Sequence, residues 1–412
     1  MKRFNLGWFS ALAGVAMLVA ACDTGTATNT PASGGSTGGS TTGGTGMAKV
    51  TGPLTIWESY GSSHGSAESN AFDAAMAQFA KDNPGANITK LDVPFADLFN
   101  KFETAAAAGG GPDLYIAPND SLGKEVRAKL LLPLDDKLAG HLGNDLDTAV
   151  NGSKVDGKLY EVPESLKAVA MFYDTSKLKT PPATTDDLMT AVKGGLKIGL
   201  NQSAYHTFGY FNAFGGKIFD DTGKAIAGAE VAASLQYLKD LKAAGAQFFT
   251  DGDKLSAAFK NGDIAATIDG PWLTGDYKKA LGDKLAVAPM PAGPKGPSTP
   301  MTGVDGWYVN ANTKNADQAV NFALYMTSPA IEQIWVDTAG HVPADKTIKI
   351  SDPLVKGFST AAAGGYPRPQ IKQLDNFWGP FGDALNKVMD AGADPKAAVQ
   401  AADDAANKAN GK

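Results

Sequence analysis

Ala258-Phe-Lys-Asn-Gly-Asp-Ile-Ala-Ala-Thr-Ile-Asp-Gly-Pro-Trp272 passes from the end of a short helix, through a turn, into a strand and out into a loop that carries a tryptophan. Asn261-Gly262-Asp263 supplies turn residues, 264–268 is an apolar and β-branched run, and Gly270-Pro271 stops it. The same grammar extends in both directions. Upstream, 196–200 reads as a strand, 230–243 as a helix and 255–260 as a shorter helix. Nearer the start, Leu54-Thr-Ile-Trp57 is a strand, and Phe72, Met76 and Phe79 give 67–81 a helical stripe. Strand 88–93, a helix with Phe95, Leu98, Phe102 and Ala105 on one face, and the buried strand Leu114-Tyr-Ile-Ala117 complete the unit. Strands alternating with helices predict parallel sheets that bind ligands in the loops at their carboxyl ends. Two such series predict two α/β lobes. The Ala-, Asp- and Lys-rich stretch 383–408 is expected to close the fold as surface helix, broken before Pro395.

The amino terminus has a different character. Lys2 and Arg3 precede a short apolar run, and Val19-Ala20-Ala21-Cys22 follows, with the chain's only cysteine. Residues 1–21 read as a cleaved leader and Cys22 as a lipidation site; an ordinary secretory signal with an incidental cysteine is the alternative. Residues 22–50 are dominated by Gly, Ser and Thr and have no aromatic residue, as expected of a tether reaching roughly 25–30 Å. Loss of the leader leaves 35 basic against 43 acidic side chains and takes the net charge from −6 to −8. That surface argues against nucleic acid. With the cysteine committed to lipid, no disulfide remains and the fold must rest on its core.

Four segments carry a resemblance to a known family: Ala105-Ala-Ala-Ala-Gly-Gly-Gly-Pro-Asp-Leu114, Ala258 to Trp272 as quoted, Tyr325-Met-Thr-Ser-Pro329, and Asn376-Phe-Trp378. Together they resemble the extracellular solute-binding proteins of ATP-binding-cassette importers, in the group that takes maltose, maltodextrins and related oligosaccharides. The resemblance spans most of 53–410. It implies the two-lobed type II periplasmic-binding fold, with lobes of 51–164 plus 308–352 and 165–307 plus 353–412, joined by a hinge and closing on sugar. It also implies a membrane permease with a separate ATPase as partners, a monomer, and a location outside the cytoplasmic membrane, held there by lipid on Cys22.

Pyranose rings have apolar faces and a hydroxyl rim, so aromatic faces ringed by hydrogen-bonding groups suit them. Trp272, Trp307 and Trp378 each lie beside Gly or Pro, which predicts loops facing a cleft; Trp57 and Trp335 sit within elements and are expected in the core. Candidate rim residues follow strands: Glu58, Ser59, Tyr60 and His64 after the first, Asn119 and Asp120 after the third, and Glu164 and Lys167 near a crossover. The resemblance places Asp120, Trp272 and Trp378 at ligand positions. It matches Asn201, Gln202, Tyr205 and His206 to a sugar-contacting loop, with Tyr205 preferred, and Gly306-Trp307 to the late Gly-Trp of maltose and trehalose binders. Arg368, between Pro367 and Pro369, is a rigid donor fork.

Departures from the maltose pattern at Ala117, Lys167 and Gly379 leave trehalose, another oligosaccharide or glycerol phosphate as other cargoes. A surface glycosidase would need a carboxylate pair, which Glu58, Asp120 and Glu164 could provide. The histidines His64, His141, His206 and His341 have no metal-ligand spacing and no P-loop is present, so no metal or cofactor is expected.

Overall fold

The computed structural model describes residues 48–61 and 66–412. The leader, Cys22, His64 and all but the end of the tether lie outside the described residues. Met47–Lys412 forms one unit. Among the described residues, no helix is long and apolar enough to cross a membrane.

Two sheets organise the chain. The first has seven strands, running from Val342–Pro343 through Glu161–Lys167, Met301–Val309, Leu114–Pro118 and Gly52–Glu58 to Ala86–Asp92, with Tyr366–Pro367 paired to one end of Met301–Val309. The second has five, ordered Leu285–Ala288, Ala170–Asp174, Ala266–Asp269, Ile198–Asn201 and Gln247–Phe249. The expected strand and helix units are present, including the helix Ser66–Asp82 and the helix Gly228–Ala244.

The sheets are mixed, which corrects the expectation of parallel ones. In each, the strands joined by helical crossovers run parallel, and Tyr366–Pro367 also runs parallel to the start of Met301–Val309. Strands that bring the chain in from the other lobe enter the opposite way and pair antiparallel, as Met301–Val309 does with Leu114–Pro118. The expected lobe limits at 164 and 307 fall inside strands, because Glu161–Lys167 and Met301–Val309 pair from Gly303 to Tyr308 and both belong to the first sheet. The chain crosses to the second sheet at Ala168–Val169.

Alternation along the strands fills both faces of the first sheet. Leu114, Ile116, Trp307 and Val309 point to a core with Phe72, Phe79, Phe322 and Trp335. Their neighbours Tyr115, Ala117 and Tyr308 point to another, with Leu98 and Phe102. In the second lobe Ile198, Leu200 and Ile268 pack on Phe208, Phe211 and Leu238. The closing stretch forms two helices, Trp378–Asp390 and Pro395–Ala409, with Asp394 capping and Pro395 opening the second. They are not wholly surface: Leu385, Val388, Val399 and Ala402 are buried in this core.

A further core belongs to both lobes. Leu166, Val304, Val336 and Val342 meet Phe172, Phe259 and Tyr277 there, and the helix Pro353–Ala363 adds Val355 and Phe358. Phe172 lies 4.9 Å from both Tyr277 and Phe358 between ring centres. Apolar burial therefore fastens the sheets together behind the crossings.

Candidate functional site

Asp120 follows the strand Leu114–Pro118 of the first lobe and stays partly exposed. Facing it is Arg368. Tyr366–Pro367 pairs with Met301–Thr302, and the Arg368 N–H donates to the Thr302 carbonyl at 2.9 Å, so the arm between the two prolines is pinned. The guanidinium reaches Asp120 with Nη2 3.1 Å from Oδ1. Its carbon lies 5.6 Å from the Tyr205 ring centre and 5.2 Å from that of Trp378, within cation–π range of both.

The aromatic side chains form a patch on the second lobe. Tyr205 lies 6.3 Å from Trp272 and 6.5 Å from Trp378, and all three are only partly buried. Each is placed by local structure. Tyr205 is in the first turn of the helix Ala204–Ala213, whose N-cap Ser203 accepts from the His206 N–H. Trp272 sits in the short turn Pro271–Leu273 directly after the strand Ala266–Asp269. Its six-membered ring folds back over Gly270, where any Cβ would collide with it. Trp378 opens the helix Trp378–Asp390. Burial raises the Tyr205 hydroxyl pKa although Arg368 opposes the shift, so this group is a neutral donor and acceptor.

Beneath the patch, His206 Nδ1 is 2.7 Å from Ser203 Oγ and Nε2 is 3.4 Å from Asp269 Oδ1. The imidazole stands edge-on to Trp272 at 6.1 Å. Asp269 also accepts the Gly270 N–H at 2.9 Å. Asp269 was not among the expected site residues, although it terminates a strand, the same signal that marked Asp120.

Asp120, Tyr205, Trp272, Arg368 and Trp378 are thus brought together. His206 lies beneath them, and most of the other candidates are elsewhere. Trp307 lies in the strand Met301–Val309, not in a loop; it is 1% exposed and packs 5.1 Å from Phe322. Gly306 sits mid-sheet against Val162 and Glu161. Tyr60 is buried between Phe72 and Trp335, at 5.4 and 4.9 Å. Glu58 is buried and accepts the Tyr60 N–H at 2.6 Å, and burial raises its carboxyl against that bond and Lys90. Asn119 is buried and works for the backbone, donating to Gly152 at 2.9 Å and accepting from Val304 at 3.2 Å. Glu164 and Lys167 are buried with His341 near the crossing.

Backbone and side chains of the arm also tie the lobes at this end. Gln370 donates to the Asn119 carbonyl and accepts from Gly123, both at 3.1 Å. Arg127 pairs with Asp375 at 2.6 Å. A groove of about 600 Å³ lined by Glu103, Lys124, Glu125 and Lys129 is separate from the aromatic patch. Glu125 there bonds the Tyr115 hydroxyl, and burial pushes its carboxyl up to about 8 despite that bond. Among the described residues no group of His, Cys, Asp or Glu is arranged to hold a metal ion.

The model of the bacterial extracellular solute-binding protein family matches residues 74–357. The chain belongs to this family. Its relatives include a galactooligosaccharide-binding protein of Bacillus subtilis, 26% identical over 87% of this chain and 89% of the relative. A maltotriose-binding protein of Pyrococcus abyssi is 27% identical over 84% of this chain and 79% of its own length. Among solved structures, the Thermus thermophilus maltotriose-binding protein with bound maltotriose is 30% identical, covers 87% of this chain and all of its own, and superposes with a TM-score of 0.79. The GacH receptor of Streptomyces glaucescens, solved unliganded and with acarbose, gives a TM-score of 0.80 at 25% identity, covering 87% of this chain and 98% of its own. The two-lobed α/β architecture is that of these binding proteins.

Proposed function

We propose that this solute-binding protein captures maltodextrins between its lobes and presents them to an ATP-binding-cassette permease. The observation that carries the reading is the patch of Tyr205, Trp272 and Trp378 faced by the Asp120–Arg368 pair. Aromatic faces take the C–H surfaces of successive sugar rings, while the fork of Arg368 and the carboxylate of Asp120 exchange hydrogen bonds with hydroxyls. Charge is balanced within the pair, which suits a neutral ligand. A maltooligosaccharide-binding lipoprotein of Streptococcus pneumoniae, 25% identical over 72% of this chain, supports the cargo class and the transport partner.

A ligand touching both lobes binds the closed arrangement better than the open one and shifts the population by that difference. The sugar leaves chemically unchanged. The permease reads the closed form, a separate subunit hydrolyses ATP, and lipid on Cys22 keeps the monomer at the outer face of the membrane. Galactooligosaccharide is the second cargo to consider, because the B. subtilis relative carries that name.

Thermal unfolding of the chain with maltose, maltotriose, maltotetraose, trehalose and galactooligosaccharides tests the cargo. Ligand at 100 times its dissociation constant adds about 2.7 kcal/mol of stability. Maltotriose should raise the transition; a response to galactooligosaccharide alone would reassign the cargo, and silence across the panel would reject the oligosaccharide reading.

A further inference from the structure

Behind the sugar site, five ionisable side chains are buried together where the chain crosses between lobes. Lys167 is the last residue of its strand before the crossing, and its ammonium lies 3.2 Å from Asp305 and 3.4 Å from Glu68. His341 directly precedes the strand Val342–Pro343, which pairs with Leu166 and Ser165. Its Nε2 is 2.7 Å from Glu68 Oε1, and its Nδ1 is 3.2 Å from both oxygens of Glu164. The ring stacks on Trp335 at 4.6 Å and is fully buried.

Each imidazole nitrogen faces a carboxylate, which when ionised only accepts, and Nε2 also lies 3.2 Å from the Lys167 ammonium, which only donates. A neutral ring protonated on Nδ1 can turn its lone pair to Lys167, but it then gives no proton to the closer Glu68 oxygen at 2.7 Å. The doubly protonated ring donates to Glu68 and to Glu164. With His341 charged, the carboxylates of Glu68, Glu164 and Asp305 face two cations; with it neutral, Lys167 alone balances them. Other titratable groups facing the cluster are Tyr60, which lies near Glu164, Asp305 and Glu68, and Glu332, which lies near Glu164. Ser165 Oγ completes the surroundings, 3.4 Å from His341 Nδ1.

The second lobe rests on the residues next to this cluster. The Gly275 N–H donates to the Ala339 carbonyl at 3.2 Å, two residues before His341. The Ala67 N–H, one residue before Glu68, donates to Asp276 at 3.2 Å. A Cβ on Gly275 would strike Ala67, and one on Gly340 would meet Thr274. The helix Thr274–Leu281 of the second lobe is thus seated against both segments that hold the imidazole.

We propose that Glu68, Glu164, Lys167, Asp305 and His341 form a proton-linked latch on the hinge, which holds the present lobe arrangement while His341 is doubly protonated and releases it on proton loss. The inference rests on the two-lobed fold and not on the identity of the cargo. Burial and Lys167 oppose charge on His341, but Glu164 and Glu68 outweigh them and its pKa is raised. A base with a raised folded pKa stabilises fully below its unfolded value of about 6.5, and that contribution is lost as pH rises through the folded value. Asp305, raised by burial against the pull of Lys167, changes stability in the same sense. If the His341 pKa differs by one unit between lobe arrangements, their ratio changes ~tenfold across the transition.

The test uses the ligand-free full chain, so it stands apart from the sugar panel. Spin labels on Asn100→Cys in the first lobe and Lys193→Cys in the second, both exposed positions, in a Cys22→Ser background, report the interlobe distance. Between about pH 6 and about pH 9 the distance distribution should shift with a midpoint above about 6.5, and His341→Gln should abolish the shift. A flat wild-type profile, or a shift retained in His341→Gln, overturns the proposal. Should that variant not fold, Glu68→Gln must lower the midpoint by about one unit or more. An unmoved midpoint is equally fatal.

Discussion

Substituting Trp307 separates a core residue from a ligand platform. Its indole is 1% exposed, stacks near Phe72 at 6.5 Å and meets Phe322 edge-on at 5.1 Å. The strand that carries it is buried along its whole length, so little room exists for the site to collapse around a smaller side chain. Trp307→Ala should therefore remove about 3–5 kcal/mol, a large part of the ~5–15 kcal/mol that holds a typical domain together. Trp307→Phe keeps an aromatic ring against Phe72 and Phe322 and should lose only about 1–2 kcal/mol. Its affinity for maltotriose should stay within about threefold of wild type, a difference of roughly 0.6 kcal/mol. Urea unfolding gives the first quantity and titration calorimetry on the folded variant the second. An unmoved unfolding midpoint with affinity down tenfold would refute the core assignment and return Trp307 to the sugar site.

Trp272→Ala and Trp378→Ala should do the reverse, each weakening maltotriose binding by tenfold or more, about 1.4 kcal/mol, with a small change in the thermal midpoint; unchanged affinity in both would remove the aromatic platform. Gly270→Ala should displace the Trp272 ring and weaken binding in a protein that still folds, as judged by circular dichroism and calorimetry. Glu125, held up to about 8 by burial, makes the folded state less stable as pH rises from its unfolded value of about 4.3 toward that range. Glu125→Gln should flatten this loss by roughly 1 kcal/mol or more, read from urea midpoints across the interval. Cys22→Ser should move the protein from membrane to soluble fractions with sugar affinity unchanged, and an affinity that fell with it would contradict independent anchor and clamp.

What was legible in the chain was its local grammar. Turn residues, strand runs and helical stripes located the units, and Gly270-Pro271-Trp272 correctly marked a tryptophan leaving a strand. The same reading misplaced Trp307 because Gly306 resembles a turn. Its glycine is instead required by the close approach of the Val162 carbonyl in the middle of a sheet. Polar residues at strand ends were ambiguous for a related reason. Asp120 faces its counterpart in the cleft, whereas its neighbour Asn119 is consumed by the backbone of Gly152 and Val304. His341 looked isolated because its partner Glu68 is 273 residues away. The mixed sheets were hidden too, since strand direction depends on which lobe the chain has just left.

The proposed sugar site is lopsided: Tyr205, Trp272 and Trp378 pack with the second lobe, whereas Arg368 stands on an arm paired to the Met301–Thr302 end of a strand in the first sheet, and Asp120 follows another strand of that sheet. On the proposed reading, this asymmetry sets an order of events. A sugar can settle on the aromatic patch before the opposite lobe arrives, so the association rate belongs to one half of the molecule. Asp120 then governs dwell time, and substitutions on the two sides should separate in stopped-flow traces as entry defects and escape defects.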